Sequence, residues 1–267
     1  MSASATPARH AVNLRIFRGN PSGGELVSYP VPVREGMVVL DAVLWVQANL
    51  AADLAVRWNC KAAKCGSCSA EINGFPRLMC KTPISDYGEE ISVRPMRAFP
   101  LIKDLVTDVS WNYEVNKRIP PFTPSEEDRN SSEPWRMQQE DVERVMEFRK
   151  CIECFLCQDV CHVLRDHKRE DAYFGPRYFI RIASLEMHPK DTLNRVPVLH
   201  AEAGIGLCDV TKCCTEVCPE HIHITDNAII PLKERMADRY FDPIRWLARL
   251  GRQDRMKPKD GQVRDRG

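Results

Sequence analysis

The feature that most constrains this chain is a run of closely spaced cysteines near its middle. Cys151, Cys154, Cys157 and Cys161 follow the spacing C-x2-C-x2-C-x3-C. Three thiolates two residues apart let one tight loop hold the corner of a [4Fe–4S] cubane, and the fourth points to a different cluster. Zinc is the alternative metal, but zinc sites usually pair two separated C-x2-C or C-x2-H units. Three cysteines at equal spacing in one loop fit that pattern poorly. The spacing therefore predicts an iron–sulfur centre.

A second cysteine group precedes this run. Cys60, Cys65, Cys68 and Cys80 have the spacing C-x4-C-x2-C…C, which holds a [2Fe–2S] cluster in plant-type ferredoxins. Small residues such as Gly66 allow the backbone N–H groups of the loop to approach the sulfides. Four ordinary buried cysteines are the alternative, but the loop is too polar to be part of a core.

The third group begins at Cys208 and repeats the first run with one change. Thr211 stands where the second cysteine of a cubane loop would be. A cluster held by Cys161, Cys208 and Cys214 has three protein ligands and would most simply be [3Fe–4S]. Cys218 then crosses back to complete the cubane of the first run. The two runs are an internal repeat, as in ferredoxins with two clusters.

Cys213 is left over in this partition. It is interpreted as a packed free thiol, because cysteine often behaves as a small buried hydrophobe; a substitute fourth ligand of the last cluster is the alternative. The chain has 12 cysteines and no apolar signal segment near its start, so a reducing compartment and metal ligation are expected rather than disulfides.

Composition excludes several other classes. The net charge is +1 with 28% charged residues, so no charge bias indicates a nucleic-acid partner. No run approaches the roughly 20 apolar residues that a membrane span needs, so no transmembrane segment is predicted. The most apolar stretch, residues 37–56, is interrupted by polar residues, and this pattern predicts an amphipathic helix.

Hydrophobic periodicity predicts an α+β fold. An N-terminal β-grasp domain of the ferredoxin type is followed by a mostly helical domain with two bacterial-ferredoxin-type clusters. Strands are predicted near residues 12–18, 26–33, 69–72 and 91–94, and helices over 39–52, 138–150, 177–188 and 231–240. The predicted divisions are a [2Fe–2S] domain at 1–112, a proline-rich linker at 113–137, a helical domain at 138–245 and a basic tail at 246–267.

In this order, the three cysteine groups resemble those of the iron–sulfur subunits of succinate dehydrogenases and fumarate reductases, over roughly residues 11–245. The resemblance implies the same cluster ligands: Cys60, Cys65, Cys68 and Cys80 for [2Fe–2S]; Cys151, Cys154, Cys157 and Cys218 for [4Fe–4S]; and Cys161, Cys208 and Cys214 for [3Fe–4S].

The resemblance also implies partners. A flavoprotein subunit with FAD interconverts succinate and fumarate, this chain conducts single electrons without binding the dicarboxylate, and a membrane-anchor subunit holds quinone beside the last cluster. We therefore expect a peripheral subunit of a succinate:quinone oxidoreductase on the cytoplasmic face of the cell membrane. A fumarate reductase working in reverse stays open, because cysteine spacing does not fix redox potentials.

The chain departs from the family near the last cluster. Many members have a proline, a tryptophan and a histidine where this chain has His162, Asp166 and Asp209, and the latter two family residues help to form the quinone pocket. We hypothesise that His162 donates a hydrogen bond or a proton near the quinone, since imidazole titrates close to neutral pH. A surface or packed histidine is the alternative.

Two rivals come from other classes. A free-standing soluble electron carrier would usually have a strong field of one sign to find its partners, which this chain lacks. A structural zinc protein that binds partners would be colourless and free of iron.

Overall fold

The computed structural model describes residues 11–242. The predicted basic tail at 246–267 lies outside the described residues. Within the described part of the chain, no helix is both long and apolar enough to cross a bilayer.

The N-terminal half is built on a five-stranded mixed sheet. Its strands are β1 Ala11–Asn20, β2 Gly23–Pro32, β3 Ser69–Ile72, β4 Phe75–Leu78 and β5 Glu90–Arg94, in the order β2-β1-β5-β3-β4. The predicted hairpin is confirmed, since β1 and β2 pair antiparallel from Ala11↔Pro32 to Asn20↔Gly23. Strand β5 joins β1 in parallel, which gives the sheet its mixed character.

One helix covers this sheet. Alternate residues of β1, including Leu14 and Ile16, are fully buried, as expected for a strand with one face on a core. Helix α1, Val39–Asn49, packs its buried side chains into the same core. The helix predicted over 39–52 is confirmed, and it ends three residues earlier. Two short strands, β6 Leu101–Lys103 and β7 Val106–Thr107, form a separate antiparallel pair.

The second half of the described chain is helical, which confirms the predicted α+β class. Its α-helices are α2 Ser110–Arg118, α3 Glu126–Asn130, α4 Gln139–Met146, α5 Leu156–Asp159, α6 His162–Arg165, α7 Pro176–Glu186, α8 Val196–Ala201, α9 Cys213–Glu216 and α10 Ile230–Tyr240. Short 3-10 turns cover Met79–Lys81, Ile84–Asp86, Glu147–Lys150 and Ile205–Leu207, and a π-helix covers Ile224–Ile229. The core of this half gathers around α7, where Phe179 and Ile182 are fully buried.

The proline-rich segment is more structured than its composition indicates. It begins with the end of α2, and Val115 and Ile119 are buried in the helical core. The buried guanidinium of Arg195 donates to the carbonyl oxygens of Pro120 and Pro121 at 3.0 and 2.6 Å. The start of the predicted linker is therefore fastened to the helical half.

Candidate iron–sulfur cluster sites

The [2Fe–2S] loop, which carries Cys60, Cys65 and Cys68, turns backbone N–H groups toward the sulfurs of its cysteine group. The N–H groups of Ala62 and Lys64 each donate to Cys60 Sγ over 3.3 Å. Ala63, with φ 55°, donates its N–H to Cys80 Sγ over 3.3 Å. Such N–H···S hydrogen bonds disperse the negative charge of thiolate ligands and raise the potential of the cluster that they hold.

One cavity gathers cysteines from two distant parts of the chain. Its walls include Cys151, Cys154 and Cys157 from the first run and Cys218 from the third, together with Arg177. The remaining walls are mainly isoleucine side chains. Four sulfurs around an apolar space form the donor set that a cubane requires, so these residues fit a [4Fe–4S] cluster.

The two cysteine runs have left-handed residues at the same two positions. Glu153 and Phe155, on either side of Cys154, have φ of 55° and 60°, and Val210 and Lys212, on either side of Thr211, each have φ of 64°. Left-handed conformations are uncommon for such side chains and persist only where the surrounding structure fixes them.

The repeat therefore extends from cysteine spacing to backbone shape. In this alignment Thr211 occupies the position of Cys154, and Cys213 occupies the position of Leu156. The Leu156 side chain is buried in a hydrophobic core.

The sulfurs of the last group lie among hydroxyl groups. Cys161 Sγ is 4.0 Å from the Tyr173 hydroxyl, and Cys214 Sγ is 3.4 Å from Thr225 Oγ1. Burial, followed by the nearby sulfurs of Cys161 and Cys208, raises the pKa of Tyr173 far above its ordinary value. Tyr173 therefore stays a neutral hydroxyl that can donate to either sulfur.

Burial also disfavours free thiolates in all three cysteine groups. It raises the pKa of Cys68, Cys154 and Cys214 to about 12 and that of Cys161 to about 11. A bound metal ion offsets this cost, because coordination displaces the thiol proton. Within residues 11–242, no three His, Cys, Asp or Glu side chains are arranged to hold a single metal ion.

The structure pairs two of the three residues that depart from the family pattern. His162 Nε2 lies 3.0 Å from Asp209 Oδ2, with both side chains partly exposed. Asp166 instead pairs with Arg165 at 3.1 Å. His162 is thus tied to the residue after Cys208, next to the last cysteine group.

The [2Fe–2S] loop and the first cysteine run are in direct contact. The Ser69 hydroxyl lies 2.8 Å from the carbonyl oxygens of both Gly66 and Cys154. Nearby, Lys64 pairs with Glu220 at 3.0 Å. These contacts join the [2Fe–2S] loop to both cysteine runs that line the cubane cavity.

Sequence spacing did not reveal the residues around the sulfurs. Arg177, Tyr173 and Thr225 come from segments with no cysteine, and only the fold brings them to the sites. One signal existed for Arg177: the pair Gly175-Pro176 is typical of a helix start, which puts residue 177 in a first turn.

Comparisons with known proteins agree with this geometry. Residues 13–114 match the 2Fe-2S iron-sulfur cluster binding domain, and residues 147–222 match the 4Fe-4S dicluster domain. The chain is 28% identical to the fumarate reductase iron-sulfur subunit of Haemophilus influenzae over 79% of this chain and 88% of that protein. It is 29% identical to the fumarate reductase iron-sulfur subunit of Mycobacterium tuberculosis over 73% of this chain and 79% of that protein.

A solved structure is considerably more similar. A chain of the Mycobacterium smegmatis Sdh1 complex in the apo form superposes with a TM-score of 0.85 and is 59% identical, over 89% of this chain and 100% of that chain. The expected family resemblance and electron-transfer role are confirmed. This chain belongs to the family of iron–sulfur subunits of succinate dehydrogenases and fumarate reductases and transfers electrons through iron–sulfur clusters.

Proposed function

We propose that this chain conducts electrons between the FAD of a flavoprotein subunit and a quinone held by a membrane-anchor subunit, in a succinate:quinone oxidoreductase. The observation that carries the proposal is the cavity at which Cys218 joins Cys151, Cys154 and Cys157. This crossing is needed only where each of two cysteine runs supplies a ligand to the other run's cluster. Cys218 completes the cluster of the first run, because Cys161 serves the neighbouring cluster. When bound, [2Fe–2S], [4Fe–4S] and [3Fe–4S] clusters supply one-electron carriers to such a relay.

The ligand assignment within this proposal has three parts. Cys60, Cys65, Cys68 and Cys80 hold [2Fe–2S]; Cys151, Cys154, Cys157 and Cys218 hold [4Fe–4S]; and Cys161, Cys208 and Cys214 hold [3Fe–4S]. The contact of Ser69 with Cys154 supports a linear order with the cubane in the middle. The proposed division keeps the [2Fe–2S] domain at 1–112, the linker at 113–137 and the cluster-bearing helical domain at 138–245.

Exposed apolar residues near the two ends of this order are suitable partner contacts. Trp58 is 44% exposed beside the [2Fe–2S] loop, with the Lys61 ammonium 4.9 Å from its ring centroid. Leu207, directly before Cys208, is 42% exposed. We assign the first surface to the flavoprotein and the second to the anchor subunit, which would hold the chain at the cytoplasmic face of the membrane.

The experiment that tests this proposal is electron paramagnetic resonance of the complex purified through this chain. A signal present after air oxidation and lost on mild reduction is expected from a [3Fe–4S] cluster, followed by signals from the reduced [2Fe–2S] and [4Fe–4S] clusters. Recovery of a lone soluble chain would contradict the partner assignment. Colourless protein with zinc and no iron would contradict the cluster assignment.

The direction of turnover separates two versions of this function. Succinate oxidation is the version proposed here, in keeping with the Sdh1 name of the similar structure. The relatives named fumarate reductase favour the reverse reaction as second candidate. Redox titration of the three clusters, with identification of the bound quinone by extraction, distinguishes them. Clusters below the potential of the bound quinone pass electrons to it and favour succinate oxidation, whereas clusters above that potential accept electrons from the quinol and favour fumarate reduction.

We further propose that His162, held by Asp209, contributes a hydrogen bond to the quinone. The pair lies beside the last cysteine group and is partly exposed, as a quinone contact at a subunit boundary needs to be. His162→Ala should weaken quinone reduction and inhibitor binding while leaving the oxidised cluster signal intact. Unchanged quinone kinetics and inhibitor sensitivity would assign His162 to the surface alone.

A further inference from the structure

Arg177 reaches the cubane cavity because a helix begins beside the cysteine loop. Gly175 has φ 88°, and a Cβ at that position would stand 2.1 Å from Gln158 Oε1. Pro176 starts α7 directly afterwards, as its fixed φ favours. The Arg177 N–H donates to the same Gln158 oxygen over 3.3 Å, so the first turn of α7 is fastened to the helix that follows Cys154.

The side chain of Arg177 is buried, and its Nε–H lacks an acceptor in the described part of the chain. It pairs with Glu153 and lies 5.6 Å from the ring centroid of Tyr178. Its Nε is buried and has no hydrogen-bond partner within residues 11–242. A buried N–H without an acceptor is costly. The cavity that Arg177 lines offers acceptors: its other polar walls are four cysteine sulfurs and Glu220, whose carboxylate is paired with Lys64.

We propose that Arg177 donates its Nε–H to a sulfur of the [4Fe–4S] cluster and, with its positive charge, raises the reduction potential of that cluster. The inference rests on the proposed ligand set of Cys151, Cys154, Cys157 and Cys218. Arg177 then acts directly on the cluster and sets its reduction potential, and it touches no substrate.

The physical reason is the charge that reduction adds. An electron entering the cluster adds one negative charge in a site walled by apolar side chains, where a nearby cation is weakly screened. A hydrogen bond from a charged donor to sulfur favours the same reduced state. Glu153 offsets part of the charge of Arg177, and Glu220 is paired with Lys64. We therefore expect about a tenfold effect on the reduction equilibrium, which for one electron is about 59 mV.

The test is a redox titration of the assembled complex, followed by the electron paramagnetic resonance of the reduced cubane. Arg177→Gln should lower its midpoint potential by about 59 mV, a tenfold change in the reduction equilibrium, and leave the other two clusters unchanged. Arg181→Gln is the matched control: it removes the same charge one turn along α7 from a side chain that does not line the cavity. Its cubane should keep the wild-type potential.

The outcomes separate this inference from the proposed function. A wild-type complex without a cubane signal would overturn both. A cubane in Arg177→Gln at the wild-type potential, or an equal shift in Arg181→Gln, would overturn the role of Arg177 alone. If Arg177→Gln fails to assemble, Arg177→Lys decides, because it keeps the charge and loses the Nε–H donor: a lowered potential supports the inference, and an unchanged one overturns it.

Discussion

Gly66 lies against the backbone of Cys154, so that a Cβ on Gly66 would stand 2.6 Å from Cys154 Cα. Gly66 also has φ 69°, in the region that glycine adopts without steric cost. The [2Fe–2S] loop and the cubane loop therefore touch through main chain, and no larger residue fits between them. A relay benefits from this contact, because it fixes the distance between the two clusters.

Gly66→Ala should separate the two loops. The left-handed conformation costs about 1–2 kcal/mol with a Cβ, and overpacking against main chain adds about 1–3 kcal/mol. We expect a loss of about 2–5 kcal/mol in unfolding free energy, measured by denaturation of the complex. The purified variant should also contain less iron and less acid-labile sulfide per chain.

Gly36→Ala is the control for this contact, since Gly36 has φ 73° and nothing within 4 Å of the added Cβ. Gly36→Ala should lose only the part of the unfolding free energy that comes from placing a Cβ in the left-handed conformation, about 1–2 kcal/mol. Equal losses in the two variants would show that the contact with Cys154 contributes nothing.

The buried pair of Arg195 and Asp191 should be essential to the helical half. Their side chains are 0% and 1% exposed and lie 2.8 Å apart. Removal of one partner leaves a buried charge unpaired, which typically costs about 3–5 kcal/mol. Arg195→Met should therefore lower the unfolding free energy by about this amount in denaturant titrations.

The exposed pair of Lys117 and Glu114 provides the comparison, with side chains 70% and 66% exposed. Lys117→Met should change stability by less than about 1 kcal/mol. Comparable losses in Lys117→Met and Arg195→Met would contradict the assigned role of the buried pair.

Local signals in the sequence predicted the regular elements well. The helices predicted over 177–188 and 231–240 are observed at Pro176–Glu186 and Ile230–Tyr240, because amphipathic periodicity is a property of the segment itself. Strand β4 was missed. It contains Pro76, and proline is tolerated there because β4 is an edge strand, which is known only once the sheet is assembled.

Tertiary contacts account for what the sequence did not reveal. The prolines at 120 and 121 indicate a loose connector, yet Arg195 binds their carbonyl oxygens from 75 and 74 residues away. Similarly, cysteine spacing led to the sets of sulfurs but not to Arg177, whose position depends on where α7 begins. Cysteine spacing identifies the cysteine ligands, but it does not identify side chains, such as Arg177, that a segment without cysteines brings to the site.

His188 should make the stability of the protein depend on pH under mildly acidic conditions. Burial lowers its pKa from 6.5, while Asp191 and Asp141 raise it by less. The Lys190 N–H donates to His188 Nδ1 over 3.1 Å, which requires an unprotonated Nδ1. Below about pH 6.5 the unfolded chain binds a proton that the folded chain does not, so stability is lost as pH falls through this window.

His188→Asn tests this dependence, because an amide oxygen can accept from Lys190 and cannot titrate. Thermal unfolding of the complex at pH 7.5 and 5.5 should show the wild type losing more stability than the variant. Parallel decreases in both proteins would remove His188 as the cause.

Thr211 should determine the type of the last cluster. It occupies the position that Cys154 has in the first run, and its Oγ1 lies 3.3 Å from Cys213 Sγ. A hydroxyl is a poor iron ligand where a thiolate would complete a cubane. Thr211→Cys should therefore abolish the signal of the oxidised complex and add a signal that appears only on reduction, with one more iron per chain.

Cys213→Ser is the matched control for this change. Cys213 is equivalent to Leu156, which packs into a core, so its thiol is not expected to bind iron. The variant should keep the oxidised signal and the iron content of the wild type. If the wild type shows no oxidised signal and Cys213→Ser makes one appear, then Cys213 is the fourth ligand and the last cluster is not held by three cysteines alone.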